Sequence, residues 1–119
     1  MAQHNEFGEL GEQMAAEYLQ AKGYQILERN YFYQKAEVDI IATYKNELIC
    51  VEVKARNSDF FGDPQDFVTS SKIKLLVKVM DAYITENDID LGCRFDIVAV
   101  LKNKTTETIT HYENAFYHF

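Results

Sequence analysis

A pair of short strings constrains the fold of this chain more than any other feature: Glu37-Val38-Asp39-Ile40-Ile41 and Val51-Glu52-Val53-Lys54. In each, charged residues recur at a spacing of two inside an apolar, β-branched run. Side chains of a strand alternate between faces, so the charges share one side and the valines and isoleucines take the other. Between the strings, Tyr44-Lys45-Asn46-Glu47 reads as a hairpin connection. A two-residue loop at 45–46 and a four-residue loop at 44–47 give the same pairing. That register sets Asp39 across from Glu52 and Glu37 across from Lys54.

Glu37 opposite Lys54 is an ordinary cross-strand ion pair. Two carboxylates opposed at roughly 5 Å are destabilising unless a proton or a cation lies between them, and a divalent metal is the simplest resolution. A hard ion such as Mg²⁺ takes a few oxygen ligands in near-octahedral geometry and keeps several waters. Two carboxylates and a backbone carbonyl of the second strand supply that set, and a lysine two residues on can polarise or deprotonate an attacking water. Hydrolysis of a phosphodiester needs these parts. An amphipathic hairpin with a solvated polar face carries the same alternation, so both interpretations stand on the two strings alone.

With 119 residues, 47% hydrophobic and one proline, the chain fits a single compact domain over 1–119 with a core that needs no staples. The amino terminus lacks the basic start, apolar run and small-residue cleavage site of a signal peptide, and no apolar stretch approaches the roughly 18 residues of a membrane span. A cytoplasmic location without a membrane partner is expected. Cys50 and Cys93 lack CxxC spacing and fall in or beside apolar strands, which suits small core side chains better than metal ligands or a disulfide. With 19 acidic and 12 basic residues the net charge is −7, which opposes nonspecific attraction to a polyanion. Contact with nucleic acid therefore has to be local. Lys54, Arg56, Lys72, Lys74 and Lys78 lie close in sequence to the proposed site, with Arg56, Lys72 and Lys74 the expected substrate-binding cations.

From about Asn5 to Lys22, Phe7, Leu10, Met14 and Tyr18, with Gly11, Ala15 and Leu19, form one stripe of an amphipathic helix that stops at Gly23. Glu9 points away from the stripe and Glu12 lies on its border, so Glu12 is the helix carboxylate able to reach a partly buried site. Residues 24–33 read as a strand, followed by the two charged strands. The segment 57–66, with Phe60, Phe61, Gly62 and Pro64, reads as a loop whose aromatics either cover the core or stack on a substrate. A second helix opens at Ser70 or Ser71 as N-cap and runs to about Asn87. Lys72 and Lys74 occupy its first turn, where the helix dipole disfavours cations, and either a nearby anion or simple solvation accounts for them. Residues 94–101 are apolar on both faces, as in a central strand, and 107–112 can pair at its edge. Asp96 is expected to partner Arg94 or a backbone group. His4, His111 and His118 lack ligand spacing and read as incidental.

The resulting order is αβββαββ, an α/β fold with a mixed central sheet flanked by helices and the charged hairpin face near the first helix. On Gly8-x-x-Gly11-Glu12, Asn30, Glu37-Val38-Asp39, Val51-Glu52-Val53-Lys54-x-Arg56, Phe61-Gly62-x-Pro64, Val68-Thr69, Lys72, Arg94-Phe95-Asp96 and Ala115-Phe116, the chain resembles the YraN-like family of small bacterial proteins. That family is placed in the restriction-endonuclease-like (PD-(D/E)XK) superfamily with the archaeal Holliday-junction resolvases. The resemblance implies a restriction-endonuclease-like core and a Mg²⁺- or Mn²⁺-dependent nuclease acting on DNA, branched DNA by analogy with the resolvases. It makes Asp39 and Glu52 metal ligands, Lys54 the water-activating or charge-stabilising residue, and Glu12 the carboxylate that completes the site. By the same analogy it implies a homodimer, joined through an exposed edge strand or the Phe60-Phe61 loop. One departure is Ala36, where the family usually has glycine; the fold should survive this, with the detailed turn altered. The alternative is a nucleic-acid- or partner-binding module that keeps the nuclease fold with little turnover, which the acidic charge favours. A different metal-dependent hydrolase or a scaffold is the third class.

Overall fold

A computed structural model describes residues 5–58 and 67–116. Helix α1 spans Glu6–Ala21. It starts because Asn5 Oδ1 accepts the otherwise orphaned Gly8 N–H at 2.6 Å. It stops at Gly23, whose φ of 99° lets the Gly23 and Tyr24 N–H groups turn back to the carbonyls of Gln20 and Leu19. Strands β1 (Gln25–Tyr33), β2 (Ala36–Tyr44) and β3 (Glu47–Arg56) follow as an antiparallel meander. The β2–β3 connection is the two-residue option, with Tyr44 paired to Glu47 and both Lys45 and Asn46 at positive φ, 48° and 65°, as a type I′ turn requires. At the β1–β2 turn the left-handed residue is Gln34, φ 56°, while Ala36 already pairs with Tyr33. The alanine therefore carries no left-handed strain.

Helix α2 (Ser70–Glu86) crosses over to β4 (Gly92–Lys102), which runs parallel to β3, and β5 (Glu107–Tyr112) pairs antiparallel at the edge of β4. The N-cap of α2 is Thr69, one residue before the expected serines. Its hydroxyl takes the Lys72 N–H at 3.1 Å, and three consecutive hydroxyl residues make the cap ambiguous in sequence. The sheet order is β1-β2-β3-β4-β5, a mixed five-stranded sheet consistent with a restriction-endonuclease-like core. No helix among the described residues is long and apolar enough to cross a membrane.

The helices cover opposite faces. On one, Ala15, Ala16 and Leu19 of α1 pack on Ile40, Ala42, Ile49, Val51, Val53 and Val98. On the other, Leu76, Val79, Met80 and Tyr83 of α2 pack on Val38, Ile41, Leu48, Cys50, Phe95 and Ile97. Each fully buried aliphatic side chain contributes about 1.5–3 kcal/mol of transfer free energy. Cys50 and Cys93 are free and behave as core side chains. Burial pushes the Cys50 thiol well up and that of Cys93 to about 12, so both stay protonated at neutral pH.

Helix α1 approaches β3 closely at one point. A Cβ on Gly11 would meet Ala55 Cβ at 2.7 Å, and that methyl sits directly on the strand backbone with no torsion to move it aside. Gly11→Ala is expected to lift α1 off β3 and destabilise the protein by about 1–3 kcal/mol, read as a drop in the urea midpoint. An unchanged midpoint would show that the helix does not depend on this contact.

Candidate metal and catalytic site

The β2–β3 register is the expected one, from Tyr44–Glu47 to Ile40–Val51, but the ladder ends there, one step short of Asp39 and Glu52. Beyond it, the Val53 N–H donates to Asp39 Oδ2 at 2.8 Å inside the protein. A side chain has taken the place of a strand as the acceptor, and β2 and β3 part at this point. On its other side β3 stays paired with β4 as far as Arg56–Leu101.

The same position interrupts β1. Its pairs with β2 run through Arg29–Ile40 and resume at Tyr31–Val38, bracketing Asn30, which sits at φ 52°. Strand β2 turns over here: Ile40 packs under α1 and Val38, two residues away, under α2. Asn30 Nδ2 donates to Glu12 Oε1 at 2.6 Å, which ties the α1 carboxylate to the interruption. Glu12, Asp39 and Glu52 are 2%, 0% and 2% exposed, and Glu37 is buried beside them in sequence. Carboxylates are seldom this buried without compensation.

Glu52 lies on the α2 side of the sheet, in correction of the expectation that the charged hairpin face lies near the first helix. The reason is the regular alternation of β3, which puts Val51 and Val53 under α1 and Cys50 under α2. Glu52 Oε2 is 3.6 Å from Lys54 Nζ and 3.8 Å from Lys72 Nζ. Its other oxygen, Oε1, is buried with no hydrogen-bond partner among the described residues. Glu12 thus comes from the α1 layer, Glu52 from the α2 layer, and Asp39 stands between the parted strands. No three His, Cys, Asp or Glu side chains among the described residues gather closely enough to hold one ion.

Of the expected substrate-binding cations, Lys72 reaches Glu52, so the anion near the start of α2 is the protein's own. Lys74 is exposed, 200° around the helix from Lys72. Arg56 is exposed and donates from Nη1 to the Ala55 carbonyl at 2.8 Å. The Phe60-Phe61 segment, His4 and His118 lie outside the described residues.

A second buried polar cluster surrounds Asp96. Arg94 donates to it from Nε at 2.9 Å and Nη2 at 2.8 Å, and the Asn114 N–H donates at 2.9 Å, as expected for a structural role. His111 is not incidental: its Nε2 lies 2.7 Å from Asp96 Oδ2, its side chain is 3% exposed, and the Tyr18 and Tyr24 rings pack against it. The signal was present in the alternation of β5, which points Ile109 and His111 the same way, but a lone histidine in a half-polar strand is an ambiguous cue. Burial works to raise the Asp96 pKa, but the hydrogen bonds from His111, Arg94 and Asn114 outweigh it and hold the carboxyl below its ordinary value.

The family model described as Uncharacterised protein family UPF0102 matches residues 11–100. The chain belongs to the UPF0102 family. A UPF0102 protein of Flavobacterium psychrophilum is 56% identical over 119 residues, covering all of both chains. One from Christiangramia forsetii is 53% identical over the same span, and one from Caldanaerobacter subterraneus is 42% identical over 113 residues, 92% of this chain and 93% of its own. The UPF0102 match includes Glu12, Asn30, Asp39, Glu52, Lys54, Lys72 and Asp96 and begins at Gly11, the residue that admits α1 to β3. UPF0102 is the YraN-like family expected from the sequence.

Proposed function

We propose that this protein is a divalent-metal-dependent nuclease that hydrolyses phosphodiester bonds in DNA. The observation that carries this reading is the buried Glu52 carboxylate, with one oxygen unpartnered among the described residues and the other facing two lysine ammonium groups, beside the point where the β2–β3 ladder ends and Asp39 accepts the Val53 N–H. An unpartnered buried carboxylate oxygen is costly by itself and fits a ligand role. Asp39 and Glu52 would hold Mg²⁺ or Mn²⁺ as a two-carboxylate site with the remaining positions left to water and phosphate oxygens, the usual arrangement for Mg²⁺. A divalent ion there supplies Lewis acidity and a more acidic water. Lys54, 22% exposed, sits where it can take part in proton transfer or stabilise charge on the phosphoryl oxygens, and Lys72 adds a second cation to the same side. Glu12 acts as a positioning residue through Asn30, which it grips at the strand interruption.

Branched DNA is the leading substrate, with action in repair or recombination in the cytoplasm, and a homodimer would match the need to cut two strands. A cleavage panel of duplex, single-stranded, flap and four-way DNA with Mg²⁺ or Mn²⁺ tests the reading; no cleavage of any member would overturn it. A second reading, a binding module with little turnover, draws on the net charge of −7 and on the dispersal of the three carboxylates.

Asp39→Asn separates the two contributions of that side chain. The amide oxygen can still accept the Val53 N–H, while the negative charge is lost. The variant is expected to unfold within about 1 kcal/mol of the parent and to show no heat of Mg²⁺ or Mn²⁺ binding by titration calorimetry. Unchanged metal binding would remove Asp39 from the ligand set.

A further inference from the structure

On the α2 side of the sheet lies a notch of about 320 Å³, lined by Tyr33, Lys35 and Ala36 from the β1–β2 turn and by Leu75, Lys78 and Val79 from α2. It adjoins the candidate site along two elements. Ala36 is three residues from Asp39 on β2, about 10 Å at the rise of a strand. Lys78 is six residues from Lys72 on α2, about 9 Å at the rise of a helix. The lining is mostly apolar, from Tyr33, Ala36, Leu75 and Val79, with Gln34 of the turn beside them, and Leu75 is 45% exposed. Neither Lys35 nor Lys78 has a carboxylate partner among the described residues, in a chain with seven more negative than positive charges. Two lysines without a described carboxylate partner, in the lining of a mostly apolar slot that also includes a tyrosine, match an occupant that is flat and apolar in its body and anionic along its backbone.

The geometry points to this notch as the binding site for an unpaired nucleobase of a single-stranded nucleic acid, with Lys35 and Lys78 on the flanking phosphates and the strand leading to Glu52, Lys54 and Lys72. The inference rests on the nuclease reading for what happens at the far end of that strand, but not for the binding itself. A base inside a duplex has both its faces stacked and its edge paired, so it cannot enter a slot of this size. The notch therefore selects single strands, junction arms or frayed ends over continuous duplex. Stacking of one base on an aromatic ring is worth about 1–3 kcal/mol, or roughly five- to 150-fold in affinity.

The test is fluorescence anisotropy of the full chain with labelled single-stranded and blunt duplex DNA of equal length, in EDTA so that no cleavage occurs. Single strands are expected to bind at least about tenfold more tightly than duplex, and the double variant Lys35→Glu, Lys78→Glu to lose about tenfold or more. Tyr33→Ala is expected to weaken single-strand binding by about fivefold or more; should it fail to fold, the surface lysine pair alone decides. Equal affinity for duplex and single strand, parental affinity in the lysine variant, no measurable binding, or displacement by polyglutamate as effective as by unlabelled oligonucleotide would each overturn the proposal. Cleavage measured beside binding keeps the two ideas apart: tight single-strand binding with no cleavage by the parent protein sinks the nuclease reading alone, and cleavage by the parent that is untouched in the notch variants sinks the notch alone.

Discussion

Replacing Lys54 by alanine is expected to abolish DNA cleavage, by about two to four orders of magnitude in rate, while leaving the fold nearly unchanged. The ammonium is part-exposed and its described ion pair is with Glu52, so its removal opens no cavity in either hydrophobic layer. Glu52 retains Lys72 at 3.8 Å, which limits the cost of leaving that carboxylate buried. Metal binding should persist because the carboxylates are untouched. The measurements are single-turnover cleavage and calorimetric titration of Mn²⁺ on the same sample. Cleavage at the parental rate would take Lys54 out of the chemistry, and loss of metal affinity would recast it as a residue that organises the site. Lys54→Arg distinguishes charge from proton transfer: guanidinium keeps the charge but cannot give up a proton at neutral pH, so retained cleavage would assign a purely electrostatic role.

The second large effect concerns stability. Asp96 is wholly buried and accepts from Arg94, His111 and the Asn114 N–H, so it joins β4 to β5 and to the segment that follows β5. Asp96→Asn leaves the Arg94 charge without its best partner and is expected to cost about 3 kcal/mol at neutral pH, seen as a lower urea midpoint. The pH dependence has a definite sign. The folded carboxyl titrates below its ordinary value of 3.8, so its contribution is complete above the unfolded value and is lost as pH falls through the folded one. The parent should therefore lose stability steeply below about pH 4, while Asp96→Asn lacks that part of the acid limb. Parallel acid limbs for the two proteins would show that the cluster contributes nothing through this charge.

Much of the fold was legible because its signals are local. The alternation in Glu37–Ile41 and Val51–Lys54 placed two strands in the right register, and Asn5 and Gly23 marked the ends of α1. The site was legible in composition but not in arrangement. Strict alternation puts Glu37, Asp39 and Glu52 on one face, yet β2 turns over at Asp39, opposite the left-handed Asn30, and nothing in either string announces that reversal. Asn30 shows it only to an observer who already knows that asparagine tolerates the left-handed region. Lys72 meets Glu52 from about twenty residues further along the chain, and the burial of His111 depends on which way β5 is laid, both matters of tertiary packing.

The parting of β2 from β3 gives the sheet the character of a fork. One tine carries Asp39 and runs back to Ala36 against β1, the other carries Glu52 and Lys54 against β4, and the bond from the Val53 N–H to Asp39 ties them where they diverge. Past that bond no backbone ladder joins the two tines among the described residues, so β2 is held there by β1 and β3 by β4.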